Sequence, residues 1–579
     1  MAFSGWCLLV LTFLLQALPG LALPWPHRTR QFDFSITWDK HAPDGFDRSS
    51  LLVNGQSPGP LIEVDQDDWV VVCVHNFSPK NVTIHYHGIE MMGTPWSDGV
   101  PGLSQRPILP GDSFTYQFQA TQYGSYWYHS HFQGQIEDGL YGPIIIHPRS
   151  GDPKPFHMID DDAKAIQAMT LAEQKVRPLA ISDWVHLTSD EKWDMSVASG
   201  IEDACYDSIL FNGKGRVYCI PEDELEAHLG EQRKSYLALA KGAKVTDKGC
   251  LLRHRRQRRR QQECHQARHL LRLQAVLHPL EVFQADGPSQ WVAIDIIGAI
   301  NLIAAVVAID EHDMWVYAMD GSYITPQKVQ AINLFNGDRY SVLVKTHKAG
   351  DFQIRVGAVS APQVIAGHAI FRVNGPGGVP GGNNSTPFID IAGNPSSKDA
   401  DALFKLHIQL AGATYLWALN STRVDLVALE EQPVPILFQY PDAHKYNNVT
   451  ISTLNGTWVD LVLLASLPPI PHPIHKHNNK MYQIGAGTGD FTWDTVEDAV
   501  KEKPELFNLV DPPRRDAFTS VPAPEFGVPT WIVVRYHVVN PGAWLMHCHI
   551  NSHVMGGMSV VIQDGVDRWP TVPPEYRLT

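Results

Sequence analysis

Four His-x-His pairs carry the chemistry that the sequence most clearly offers: His85/His87 in IHYHG, His129/His131 in WYHSH, His475/His477 in HPIHKH and His547/His549 in MHCHI. With 27 histidines in 579 residues, chance alone predicts roughly one such pair. Alternate residues of a β-strand point to the same face, so each pair can present two imidazoles to a common centre. Eight imidazoles from four segments could hold several copper ions. The fourth segment, HCHINSHVMGGM, is the most specific. On a strand Cys548 faces away from His547 and His549, so one tripeptide would serve two metal centres. His553 and Met558 follow the cysteine, and His472 precedes His475 by three residues. Two imidazoles, a thiolate and a weak axial thioether form the donor set of blue copper. Structural zinc sites are closed sets of four ligands, and this chain supplies many more.

The elements that must position these residues read as strands. Trp69–Val74 and Ser125–Tyr128 are β-like runs, and Pro-Gly turns lie at 58–60, 101–102 and 110–111. Frequent glycine and proline, 44 and 42 residues, disfavour long helices. At roughly 150 residues per domain, the length predicts three or four domains. The pattern places an all-β domain over 28–150, a second over 155–374, a linker over 375–402 that contains GPGGVPGGNNSTP, and a third domain over 403–579. One stretch of the second domain, 251–285, is foreign in composition. Residues 251–274 hold eight arginines, and strand alternation is lost at about Cys250 and returns near Trp291. A solvated loop, or a misplaced exon boundary or reading frame, would account for it.

The charge sum, 46 basic against 61 acidic residues, is −15 and argues against a nucleic-acid partner. Met1–Ala22 is apolar and ends in small residues, as a cleaved secretory signal does, and no other stretch reads as a membrane span. Secretion would place the mature chain outside the cell or in the wall. Sequons at Asn76, Asn81, Asn383, Asn384, Asn420, Asn448 and Asn455 are compatible with that route. Without Cys7 and with Cys548 on a metal, five cysteines remain, so at least one thiol is unpaired.

The four histidine segments, in this order, resemble the copper signatures of multicopper oxidases of the laccase and ferroxidase type. SDGVPGLSQRPI (97–108), YGPIII (141–146) and DPPRRD (511–516) extend the likeness, and ACYDSILFNGKG (204–215) is similar to ascomycete laccases of the spore-pigment group. The resemblance covers about 30–220 and 290–579. It implies three consecutive cupredoxin-like Greek-key β-sandwich domains and four coppers per chain. It further implies a type 1 site of His472, Cys548 and His553 with Met558 axial, type 2 ligands His85 and His475, and type 3 ligands His87, His129, His131, His477, His547 and His549. Asp98 corresponds to a family acid that supports proton delivery. A second such acid is replaced by Asn551, and a family cysteine that ties to the C-terminal domain is replaced by Arg106.

The activity so implied takes single electrons from phenols or diphenols, pigment or polyketide precursors among them, through an exposed histidine edge, and reduces dioxygen to water. A ferroxidase is the alternative, and a copper-binding wall protein with little activity is a reading from a different class. Oligomeric state, disulfide pairing and pocket residues are not written in the sequence.

Overall fold

Strand formation follows the side-chain alternation directly. In Trp69–Asn76, Val70, Val72 and Val74 are fully buried while Trp69, Val71 and His75 are half-buried, the pattern of a strand with one face on a core. A computed structural model of the chain describes residues 28–218, 244–252, 279–375 and 400–577, apart from 204, 247, 302–303, 359–362, 401, 442–448, 466–470 and 523–526. The expected signal segment 1–22, residues 253–278 of the arginine-rich stretch and nearly all of the expected 375–402 linker lie outside the described residues.

Six large sheets form three sandwiches in chain order. The first, built from strands between Thr29 and His147, packs two four-stranded sheets around Phe34, Ile36, Val72, Ile144 and Tyr128. The second, between Arg177 and Val373, pairs a seven-stranded with a five-stranded sheet. The third, between Ala402 and Asp564, pairs a six-stranded with a five-stranded sheet. Strand order departs from sequence order in each, and parallel neighbours such as Thr29–His41 with Trp69–Asn76 require crossovers between the two layers. One continuous apolar core runs from the second sandwich into the third. Among the described residues, no helix is long and apolar enough to cross a membrane.

One sequence expectation needs correction. Strand structure returns at Val282, not near Trp291: Val282–Ala285 pairs in parallel with Ala366–Val373, and Phe283 and Ala285 are buried. The strand is four residues long, too short for its alternation to show beside the arginine-rich run. The Asn76 sequon lies in the core, with no exposed surface, and its amide donates to Lys80 O and Ile108 O. Its side chain is committed to the fold and is closed to a glycan, whereas Asn455 is exposed in a turn. Cys205 and Cys250 form a disulfide.

Candidate metal centre

Strand register gathers the paired histidines before any tertiary contact is considered. In the first sandwich the edge strand His85–His87 lies antiparallel to Gly124–His129, with His85 opposite His129. In the third, Pro473–Lys476 lies antiparallel to Gly542–Cys548, with His475 opposite His547. These strand pairs face each other, and all eight paired histidines meet in one buried cluster. Two triads stand out, His87/His129/His549 and His131/His477/His547, each drawing on both sandwiches. In the first, His87 Nδ1 lies 3.0 Å from His549 Nε2. In the second, His547 Nε2 lies 3.2 Å from His477 Nε2 and 3.4 Å from His131 Nε2. His85 and His475 remain, grouped with His87.

The outer nitrogens of four of these rings are spoken for. Nδ1 of His85, His129, His475 and His547 lies 2.7–2.9 Å from the carbonyl oxygens of Asp98, Ser130, Asp516 and Cys548. Bonding at Nδ1 places the proton there and turns an unprotonated Nε2 inward. His85, His129 and His475 each bury an Nε2 without a hydrogen-bond partner. Burial, with the other imidazoles, drives His87, His129, His131, His475, His477 and His549 well below the ordinary histidine value, and His547 to about 4. Each lone pair is therefore free for a cation at neutral pH.

Beside the cluster lies a smaller group. Cys548 Sγ is 3.6 Å from His553 Nδ1 and 3.8 Å from His472 Nδ1, and the two nitrogens are 3.1 Å apart. Such separations suit donors that share one ion through bonds of about 2.0–2.3 Å. Burial pushes the Cys548 thiol far up, so it becomes a thiolate only with a bound cation. Met558 is fully buried, and its carbonyl accepts from Cys548 N–H at 3.1 Å. The tripeptide His547-Cys548-His549 thus feeds both groups, as strand alternation requires.

Other residues went unassigned in the sequence because nothing local marks them. Trp417 stacks on His553 at 4.1 Å. Glu202 Oε1 lies 3.6 Å from His553 Nε2 and accepts from Ser552 Oγ. His553 has no exposed surface, so the expected exposed histidine edge is replaced by a layer containing Glu202 and Ser552. Asp516 lies 3.2 Å from His87 Nε2 and receives both Nη atoms of Arg339 at 2.7 Å. Burial opposes its charge, yet Arg339 holds its carboxyl well below the usual range. Arg339 Nε also donates to Ser125 O, so one guanidinium ties all three sandwiches together. Gly337, at φ +90°, faces His87 Cε1 with no room for a side chain. DPPRRD was the available signal for Asp516; Glu202 and Arg339 had none.

Asp98 is buried, with Oδ2 2.9 Å from His477 Nδ1 and Oδ1 3.3 Å from His85 Nδ1. Asn551 donates weakly to Gly134 O at 3.5 Å. Arg106 donates to Pro433 O and Arg577 O at 3.1 and 2.8 Å, so hydrogen bonds reach the C-terminal segment from this position.

Multicopper oxidase family models match residues 35–151, 288–376 and 427–568. The multicopper oxidase MCE of Talaromyces pinophilus is 38% identical over 587 residues, covering 94% of each chain. The chain belongs to the multicopper oxidase family. Laccase abr2 of Aspergillus fumigatus is also 38% identical, over 96% of this chain and 98% of its own. Among solved structures, the laccase from Botrytis aclada shares the fold with a TM-score of 0.69 at 24% identity, over 96% of this chain and 90% of that one. Fet3p, a multicopper oxidase that functions in iron import, shares it with a TM-score of 0.69 at 21%, over 95% of this chain and 94% of that one. The sandwiches are cupredoxin-like, and the cofactor of this oxidase is the family's four coppers: one type 1, one type 2 and a type 3 pair. The donor chemistry fits: buried, neutral, inward-facing imidazoles for the cluster, and two imidazoles with a thiol for the single site.

Proposed function

We propose that the chain is a secreted phenol oxidase. His472, Cys548 and His553, with Met558, would hold type 1 copper, His85 and His475 the type 2 ion, and the two triads His87/His129/His549 and His131/His477/His547 the type 3 pair. Copper held there would supply one-electron redox chemistry, which couples four single-electron oxidations of phenol to the reduction of one dioxygen to two waters. Cys548, bonded in sequence to His547 and His549, is the covalent bridge between the two groups.

The observation that carries the phenol reading is the layer that covers His553. Glu202 stands 3.6 Å from its outer nitrogen, and Glu202 N–H donates to Thr414 Oγ1 at 2.9 Å. Trp193 and Tyr415 meet edge to face at 5.4 Å in the same neighbourhood. A half-buried carboxylate beside two rings suits an aromatic hydroxyl: the rings hold the aromatic face, and Glu202 takes the hydroxyl proton as the electron leaves. The phenol becomes a phenoxyl radical, and radicals couple outside the protein into larger aromatic products such as pigments. A ferrous ion favours several oxygen ligands, and among the described residues Glu202 is the one carboxylate within ion-pair distance of His553. The apolar Met1–Ala22 and the Cys205–Cys250 disulfide support passage through an oxidising secretory route.

Turnover of a diphenol and of Fe(II) by one copper-loaded preparation tests the reading. Diphenol is the better substrate, and Glu202→Gln lowers diphenol kcat/KM by at least about tenfold while the blue colour stays. Faster Fe(II) turnover, or a Glu202→Gln variant equal to the parent on diphenol, would contradict it.

A further inference from the structure

Reduction of one dioxygen to two waters takes up four electrons and four protons, and on the oxidase reading both reach a cluster closed to solvent. Glu430 ends the helix Leu426–Glu430 and is 1% exposed. Its Oε1 accepts from Gln133 N–H at 3.0 Å, two residues beyond His131. Its Oε2 is buried and has no hydrogen-bond partner. Burial pushes this carboxyl up to about 8, against hydrogen bonds from Gln133 and reinforced by Glu431, so it carries its proton at neutral pH. Gln133 comes from the His131 loop, the backbone of Gly102 from the Asp98 segment, and Glu431 from its own helix end; among the described residues Glu430 makes no ion pair.

The segment following Asp98 packs on the same helix end. Gly102, at φ +71°, lies so close to the Leu429 carbonyl that a side chain has no room, and Ile436 N–H and Leu437 N–H donate to Gly102 O and Leu103 O at 3.0 and 2.9 Å. Gln105 Oε1 and Gln432 Nε2, on these two segments, are likewise buried without partners. Gln105 also bonds the Tyr116 hydroxyl, which accepts from Ile84 N–H next to His85 at 2.9 Å. Glu431 is exposed. Buried polar atoms without partners are costly in a dry interior, and water carrying protons past Glu430 Oε2, Gln105 Oε1 and Gln432 Nε2 would satisfy them.

We propose that Glu430 is a second proton carrier for the histidine cluster, beside Asp98. The Oε2–H bond breaks as a proton moves inward past the His131 loop toward dioxygen under reduction, and re-forms with a proton drawn from solvent at the Glu431 end. Each cycle leaves Glu430 unchanged; the electrons come from the phenols. Asn551, whose amide reaches the same loop at Gly134, carries no acidic proton.

Two variants test this. Glu430→Gln keeps an acceptor for Gln133 N–H, and Glu430→Asp keeps the acid. In the metal-free protein, infrared spectra of wild type minus Glu430→Gln show a carboxylic C=O band at neutral pH that fades above about pH 8. In the copper-loaded chain, anaerobic bleaching by hydroquinone proceeds equally in both. On mixing with dioxygen the blue colour returns about tenfold more slowly in Glu430→Gln, with Asp98 still supplying protons, and Glu430→Asp recovers most of the rate. Absence of the carboxylic band, or equal reoxidation in wild type and Glu430→Gln, would overturn the proposal. Failure of the oxidase reading would show separately, as a wild type that hydroquinone does not bleach or dioxygen does not recolour.

Discussion

His472, Cys548, His553 and Met558 all come from the third sandwich, whereas the eight paired histidines come half from the first sandwich and half from the third. The single site is closed within one sandwich, by His472 just before the strand Pro473–Lys476 and by the strand Gly542–Cys548 with the helix Asn551–Met555 that follows it. The larger cluster exists only while two sandwiches stay docked, and its docking is fastened from the second sandwich by Arg339, which reaches Ser125 O and Asp516. A local site tolerates relative movement of the sandwiches, and an interfacial site does not. The larger cluster is therefore where distant substitutions should show first.

Arg339→Met separates the two most strongly. It leaves buried Asp516 without its guanidinium, at about 3–5 kcal/mol by analogy with other broken buried pairs, while Asp320 keeps Arg515. The expected protein keeps its blue colour but loses copper from the larger cluster, counted by metal analysis and by loss of the type 2 paramagnetic signal. Equal loss from both groups would break the contrast.

Copper removal sharpens it from the other side. Each unpartnered inward nitrogen costs about 1–3 kcal/mol, so the metal-free chain should melt at lower temperature than the copper-loaded one. Acid should lower the stability of the metal-free chain further. The cluster histidines are lowered in the folded state, His547 to about 4, while unfolded histidine titrates near 6.5. The unfolded chain binds more protons between those values, so metal-free stability falls as pH drops below about 6.5, measured by calorimetry.

Met558→Leu is the mildest change and is confined to the single site. An axial sulfur favours Cu(II), so its loss should raise the type 1 potential without altering copper content. A titration that finds no rise removes Met558 as an axial ligand.

What the sequence made legible follows from periodicity. The His-x-His pairs, and the opposed cysteine between His547 and His549, are consequences of a two-residue strand repeat. They could be read one segment at a time, and the family order of the segments supplied the docking of first against third sandwich. Glu202, Arg339 and Glu430 each act across more than a hundred residues of chain, and Trp417 meets rings 55 and 136 residues away, and no local pattern announces such contacts. The exposed histidine edge failed for the same reason, since the residues that cover His553 come from the second and third sandwiches together. Val282–Ala285 was hidden by its brevity, and its identity as a strand rests on pairing with residues 88 positions away.

The most direct test of the central claim is copper content, visible spectrum and dioxygen uptake on one preparation of the secreted chain, with Cys548→Ser alongside. Four coppers, an intense blue thiolate band lost in Cys548→Ser, and one dioxygen consumed per four phenols without peroxide are the expected result. A colourless chain, or one whose dioxygen uptake survives Cys548→Ser, would contradict it.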